Sequence, residues 1–432
     1  MRYYIKILTF LILLLPIGCF AQFTISGRVL NQADTKPVAD ASVFISNSSI
    51  GDKTAGDGTF ILENAKPGKY TLAISFVGFE TYIDTLTVGN SNINLHDITI
   101  FPKTIGLKEV TIRVNHYRDT YFNMFYERFK TEFLGASEAA NDCKILNPNV
   151  LDFDYDAKIK TLTVSSEGFL EIENRHLGYK INCLLTSFRL NVYTNELHYQ
   201  GPVLFTEMTG TSGQQRRWQQ NRREAYEGSM MHFLRSSIND RLEEEGFRAY
   251  QLAVFANPER PPDSVIAAKI EKFSNPFYLS HPLEQPPGSF SAVKRRTNGF
   301  IDSLNLYKRI AELPKSLETL MHFPLSKGDI ISDTGQPGIF ALGCDSDKLL
   351  IIYDKNRHFT QIKRVTNLDN LNYALSSRYN KELTLVNFNI PYALVDVNGW
   401  LTVPNSLTRY GAWSADRIAE LLPVNYEASQ TK

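Results

Sequence analysis

From Phe23 to Ile100 the chain falls into short alternating runs separated by turn residues, and no other stretch limits the possible folds so strongly. Phe23 to Leu30, Ala41 to Ile45 and Gly58 to Leu62 are strand patterns rich in β-branched and aromatic residues. Tyr70, Leu72, Ile74 and Phe76 alternate with Thr71, Ala73 and Ser75, the two-residue period of a half-buried strand. Thr81 to Val88 and Asn94 to Ile100 add further strands. Gly56-Asp57-Gly58, Lys66-Pro67-Gly68 and Gly89-Asn90 supply the turns. About seven short strands in this space predict an all-β sandwich over residues 22–101.

The residues before it read as an export signal. Arg2 and Lys6 give a positive start, Ile7 to Ile17 is nearly all apolar, and Gly18-Cys19-Phe20-Ala21 offers small residues for cleavage after Ala21. The apolar run is too short to span a bilayer comfortably. Cys19 is a rival site for lipid anchoring, although Pro16 stands where such sites usually carry an aliphatic residue. The expected address is therefore the periplasm or the outer membrane. No later run of about 18 apolar residues exists, so no spanning helix is expected in the mature chain. Basic and acidic side chains both number 46, a balance that argues against a protein built to coat nucleic acid. Beyond the signal stand Cys143, Cys183 and Cys344, which allow at most one bridge. Cys143–Cys183 is the pair to weigh against buried free thiols.

Residues 102–116 read as a connector that includes a strand at Glu109 to Val114, and residues 117–432 as a larger α+β body. Phe122, Phe125, Phe129 and Phe133 recur at helical steps before Gly135, which predicts a helix with a plain core face. Strands are expected at Leu151 to Asp154, Lys160 to Ser165, Phe169 to Glu173, Tyr179 to Leu190 and Asn191 to Tyr199. A long amphipathic helix is expected from Gln214 to Glu245, with Trp218, Ala225, Tyr226, Met230, Phe233, Leu234, Ile238 and Leu242 on its apolar face. Its charges oppose the helix dipole, with Arg216, Arg217, Arg222 and Arg223 near the start and Glu243, Glu244 and Glu245 near the end. Internal ion pairs or a bound anionic partner would compensate them. Seven prolines within 257–288 predict an irregular surface segment, followed by a helix near Phe300 to Ile310. The remainder, about 331–432, is β-rich, with strands that include Phe359 to Lys363, a hairpin turn at Asp396-Val397-Asn398-Gly399 and a closing helix at Trp413 to Leu422.

Several motifs carry a resemblance. Gly27-Arg28-Val29, Pro37-Val38-Ala39-Asp40-Ala41-Ser42-Val43, Gly56-Asp57-Gly58-Thr59-Phe60, Pro67-Gly68-Lys69-Tyr70 and Val77-Gly78-Phe79 occur in that order. Together they resemble the carboxypeptidase regulatory-like domain, a transthyretin-like sandwich. Similar domains precede TonB-dependent receptors and other envelope proteins of Gram-negative bacteria. In metallocarboxypeptidases the module lies beside the catalytic domain and carries no zinc ligands, so the resemblance implies envelope placement and docking, not peptidase activity. Glu132-Phe133-Leu134-Gly135, Cys143-Lys144-Ile145-Leu146-Asn147-Pro148, Asn221-Arg222-Arg223-Glu224-Ala225-Tyr226 and Arg417-Ile418-Ala419-Glu420-Leu421-Leu422-Pro423 are similar to an uncharacterised envelope family. That second resemblance implies no mechanism.

Motifs for chemistry are weak. No two histidines share the i,i+4 spacing of a zincin helix. Asp152-Phe153-Asp154-Tyr155-Asp156 begins like a calcium loop, but Ala157 and Thr163 stand where Gly and Glu belong. Ser291-Ala292-Val293-Lys294 matches SxxK without KTG or SDN downstream. Trp400 follows a turn and is the aromatic face expected to be open to a sugar. The reading is a non-enzymatic envelope protein, with no catalytic, cofactor or metal residues assigned, that docks a protein or glycan partner. Arg216, Arg217, Arg222, Arg223 and Trp400 are its candidate contacts. The alternative is an envelope hydrolase whose carboxylates are brought together by the fold.

Overall fold

Seven strands build the N-terminal sandwich: β1 (Phe23–Asn31), β2 (Ser42–Ile45), β3 (Gly51–Lys53), β4 (Thr59–Ala65), β5 (Gly68–Ser75), β6 (Tyr82–Val88) and β7 (Ile93–Ile100). In the computed structural model they form two sheets, of order β4-β1-β7 and β3-β2-β5-β6. β7 runs parallel to β1, with Val29 opposite Ile98, while β4 pairs antiparallel with β1. The period-2 pattern buries Tyr70, Leu72 and Ile74 with Ile25, Val43 and Leu62 between the sheets. Ala73 points to the other face of β5 and is buried too, because the body covers it: Phe44 and Ala73 share an apolar cluster with Leu184, Phe169 and Leu204.

The structure describes residues 23–103, 116–274, 290–321, 323–356, 382–403 and 405–428. The signal segment with Arg2, Lys6 and Cys19, and the strands expected at Glu109 to Val114 and Phe359 to Lys363, lie outside the described residues. No helix among the described residues is long and apolar enough to cross a membrane.

The body opens with α1 (His116–Leu134) and a single turn, α2 (Glu138–Asn141). Phe129 and Phe133 are fully buried at the centre of its core. Gly135, at φ +104°, ends α1 as expected. Two four-stranded antiparallel sheets follow. The first is built from β9 (Leu151–Asp156), β10 (Thr161–Ser166), β13 (Ser187–Asn191) and β14 (Leu197–Gln200); the second from β8 (Cys143–Ile145), β11 (Leu170–Asn174), β12 (Tyr179–Cys183) and β15 (Val203–Glu207). Both contribute to the core that holds α1. Asp152, Asp154 and Asp156 lie along the exposed face of β9.

Past α3 (Ser212–Tyr226) and α4 (Met230–Ile238), β16 (Phe247–Ala256) enters the C-terminal region. There a helical pair, α5 (Asp263–Ser274) and α6 (Phe290–Glu312), precedes β17 (Ser316–Leu320), the short α7 (Lys327–Ile330), β18 (Ile331–Asp333), β19 (Ile339–Leu342) and β20 (Lys348–Tyr353). β21 (Leu383–Phe388), β22 (Ala393–Asp396) and β23 (Leu407–Gly411) complete it. The strands form sheets of order β17-β16-β20-β21-β23 and β18-β19-β22. An α+β body thus follows an all-β sandwich, the expected fold class.

Three local expectations need correction. The helix expected from Gln214 to Glu245 is two helices, because Gly228 is left-handed (φ +81°) and the Ser229 side chain caps α4 by accepting from His232 N. Glu243, Glu244 and Glu245 therefore do not end a long helix; each pairs with Arg248 or Arg241. The closing helix at Trp413 to Leu422 is only a 3-10 turn, Ala412–Ser414. The N–H groups of Ile418 and Ala419 instead donate to the carbonyls of Phe133 and Leu134, satisfying the end of α1. The proline-rich segment contains α5, which starts just after Pro261-Pro262, where prolines suit a first helical turn. Of the two cysteine readings the free thiols hold, for Cys143, Cys183 and Cys344 alike. Cys143 stands opposite Asn174 and Cys183 opposite Leu170, on strands flanking β11. That places them roughly 16 Å apart by strand spacing, beyond disulfide reach.

Candidate functional site

The body's second sheet sets Tyr179 of β12 directly opposite Glu207 of β15. α3 settles over the turn that leads into β12 and bonds four consecutive carbonyls of it. Trp218 Nε1 donates to Arg175 O (2.9 Å) and Asn221 Nδ2 to His176 O (2.7 Å). Arg222 Nε donates to Leu177 O (2.7 Å) and Nη2 to Gly178 O (3.1 Å). Its Nη1 meets Glu207 Oε1 at 2.9 Å, and the guanidinium lies 3.9 Å above the Tyr179 ring. A capping box between Thr211 and Gln214 fixes the start of α3, so this register is set from both ends.

The sandwich meets the body here. Asn47 N donates to Val203 O (2.6 Å), Phe205 N to Ser48 O (2.9 Å), and Ser48 bridges Leu204 in parallel. The segment 423–427 straps the two together. Val424, buried among the sandwich core, donates to Asn47 O (2.7 Å), and Asn425 exchanges two bonds with Ser49. Lys66 of the sandwich pairs with Glu427. Arg235 of α4 holds the strap from the other side, donating to the carbonyls of Asn398, Tyr426 and Val424, each at 2.8 Å.

Beneath the strap lies a cavity of about 320 Å³, lined among others by Ser49, Tyr179, Glu207, Gln219, Arg222 and Tyr426. Tyr179 is only 1% exposed, and its hydroxyl makes no hydrogen bond among the described residues. Burial pushes its phenol pKa up, against the opposing pull of Arg222. Glu427 also faces the cavity, which therefore carries two carboxylates, each held by a cation. No group of three or more His, Cys, Asp or Glu side chains placed to hold a metal occurs among the described residues.

The expected contact residues separate. Arg216 and Arg217 are exposed on α3, whereas Arg222 is buried and belongs to the cavity wall. Arg223 is half-buried, with a buried Nε that has no partner among the described residues. Trp400 is not an open face. It packs half-buried against the sandwich core, and its backbone N–H donates to Asp396 Oδ1 at 2.9 Å. The Asp396–Gly399 turn brings it there, and Asn398 Nδ2 crosses to the sandwich by bonding Tyr70 OH (3.0 Å). Composition and spacing did not reveal Tyr179, Glu207, Gln219 or Tyr426, because strand register and the strap assemble them. Only the arginine-rich face of α3 is legible in the sequence.

The free sheet edges are blunted. β6 and β7 flank a second cavity of about 240 Å³, into which Asp84 of β6 projects beside Leu72 and Leu86. An inward carboxylate on an edge strand disfavours strand addition, and His96 kinks β7 at φ +53°.

Residues 25–112 match the model of the CarboxypepD_reg-like domain, which supports that reading of the N-terminal sandwich. No curated protein matches the chain. Among solved structures, a type II cohesin–X-dockerin complex from Acetivibrio cellulolyticus is 18% identical, with 18% of this chain and 58% of that chain covered and a TM-score of 0.17. The group B streptococcus pilus 2b backbone protein is 13% identical over 19% of this chain and 42% of that one, at 0.17. A DUF3823 family protein from Bacteroides ovatus is 12% identical over 45% and 83%, at 0.16. The chain spans less than two thirds of the length of the first two.

Proposed function

We propose that the chain is an exported, non-enzymatic cell-envelope protein that docks a protein or glycan partner. The observation that carries this reading is the CarboxypepD_reg-like sandwich, welded to the body along β15 and by the strap rather than hung on a free linker. Such an arrangement presents one composite surface built from both modules. The export-type N-terminus supports an envelope address, and the envelope-family motifs of the body support the same setting. Arg216 and Arg217 are exposed on α3 and form no ion pair among the described residues, so they remain the contacts to test.

Hydrolysis is the competing reading, because Glu207 and Glu427 line one cavity. A glycosidase acid is made by withdrawing a carboxyl group from water and from cations. Here both side chains are mostly exposed, at 60% and 64%, and both are ion paired, which favours binding. The test is recovery of the tagged full-length chain from crosslinked native envelopes, with mass spectrometry of its companions. One envelope complex should be enriched over a signal-matched control and lost with Arg216→Glu/Arg217→Glu, while the variant's melting temperature stays unchanged. Recovery of the chain alone would refute docking to a protein partner, and product release from envelope glycan that Glu207→Gln abolishes would replace docking with hydrolysis.

A further inference from the structure

We infer that the 320 Å³ cavity under the C-terminal strap is a binding site for a neutral sugar, one or two rings of an envelope glycan, with Tyr179, Gln219 and Tyr426 as its hydrogen-bonding groups. The inference rests on the docking reading and specifies its ligand class.

Three observations carry it. First, the cavity holds a polar group that the fold leaves unused. The Tyr179 hydroxyl belongs to a side chain 99% withdrawn from solvent, yet nothing among the described residues bonds it. The ring is packed away while the hydroxyl is left open to the cavity, so a ligand there can bond it without displacing any bond of the fold. The amide of Gln219 and the hydroxyl of Tyr426 are likewise unpartnered among the described residues. Second, the charges are already compensated. Glu207 is matched by Arg222, and Glu427 by Lys66. A strongly charged ligand would have to displace one of these ions, whereas a neutral polyol would not. Third, the remaining groups suit hydroxyls in particular. Phenols and the amide both donate and accept, and the paired carboxylates keep lone pairs free to accept. The cavity volume lies at the small end of ligand pockets, which fits one or two rings and excludes a long chain. Ser49, bonded to Asn425 of the strap, closes the site from the sandwich side, so occupancy would also read out whether sandwich and body are docked.

The test is calorimetric titration of the purified full-length chain with N-acetylglucosamine, glucose, galactose, mannose and the β-1,4-linked dimers of the first two. At least one should bind at about 1 mM or tighter, which corresponds to roughly 4 kcal/mol. Tyr179→Phe removes only the hydroxyl, and should weaken that binding about tenfold while leaving the melting temperature unchanged or slightly raised. Gln219→Ala, on the exposed face of α3, should weaken it as well. Absence of binding across the panel overturns the site, as does binding that Tyr179→Phe leaves intact. If the panel fails while the envelope complex is still recovered, the sugar site falls and docking stands. If a sugar binds but no complex is recovered, the site stands and docking to a protein falls.

Discussion

At the scale of single residues, the most heavily perturbed acid in the sandwich–body link is Asp396. It is 2% exposed at the start of the turn that carries Asn398 to Tyr70. Its Oδ1 accepts from the backbone N–H groups of Asn398 and Trp400, and Oδ2 from Asn398 Nδ2. These donors favour the carboxylate, but burial outweighs them and pushes the pKa up to about 6 from an ordinary 3.8. The folded state therefore holds this proton more tightly than the unfolded chain between those values. Its stability should rise as pH falls from about 6 to about 4, and the burden is fully present at neutral pH. The difference is on the order of 3 kcal/mol. His232 acts in the opposite sense, since burial lowers its pKa. Its Nδ1 accepts from Gly228 N at 3.1 Å, so protonation costs the fold a bond. The wild-type profile mixes the two groups, and only a comparison isolates Asp396. Asp396→Asn mimics the protonated acid, and in urea unfolding at pH 7.5 and 4.5 wild type should gain on it by about 2 kcal/mol at the lower pH, where most of the difference has been recovered. A gap that does not move with pH would show that Asp396 is not held as argued.

At the scale of elements, the division between α3 and α4 decides where the arginines go. Continued as one helix, α3 would carry the second half away from β16 and Tyr353. Gly228 permits the break. A Cβ there would lie 2.6 Å from Tyr353 Cδ1, and the ring is itself packed on Phe247 and His232. Gly228→Ala should therefore destabilise by about 2 kcal/mol or more, from left-handed backbone strain plus overpacking. Urea denaturation would measure it, and a variant as stable as wild type would mean that the ring yields. The signal was present in the sequence: Tyr226-Glu227-Gly228-Ser229 has a helix stop followed by an N-cap residue. Apolar residues on both sides mask it, because they keep a helical period across the break. The same cause explains the other uneven results. Period-2 alternation located the sandwich strands because each has one buried face, and Phe129 and Phe133 located α1 for the equivalent reason. The segment Trp413 to Leu422 looks helical by apolar spacing, yet its donors are claimed by α1. The cavity was not legible at all. Tyr179 and Glu207 are unremarkable in sequence, 28 positions apart, and meet only through the register of β12 and β15.

At the scale of the whole molecule, the strap makes the sandwich and body one unit, and its loss should be felt far from the point of cutting. Val424 is 3% exposed within the sandwich core, and burial of such a side chain is worth about 1.5–3 kcal/mol. Arg235 would lose two of its three carbonyl acceptors, those of Val424 and Tyr426. Leaving a half-buried guanidinium under-bonded costs about 1–3 kcal/mol more. The β2–β3 turn would lose the Asn425 bonds at Ser49 and the acceptor role of Asn47 O. The bonds along β15 and the Tyr70–Asn398 link remain, so the sandwich should loosen rather than detach. A chain ending at Leu422 is thus expected to lose about 3–5 kcal/mol of stability. Its amide hydrogens should exchange faster over Asn47–Gly51 and the last turn of α4, with the distant β1–β4 pairing unaffected. The cavity would lose the wall that Tyr426 provides, and any sugar affinity should go with it. Hydrogen exchange read by mass spectrometry separates this from general unfolding. Uniform loss of protection across both modules would mean that the strap serves global stability, and unchanged exchange at Asn47–Gly51 would mean that it does not join the modules at all.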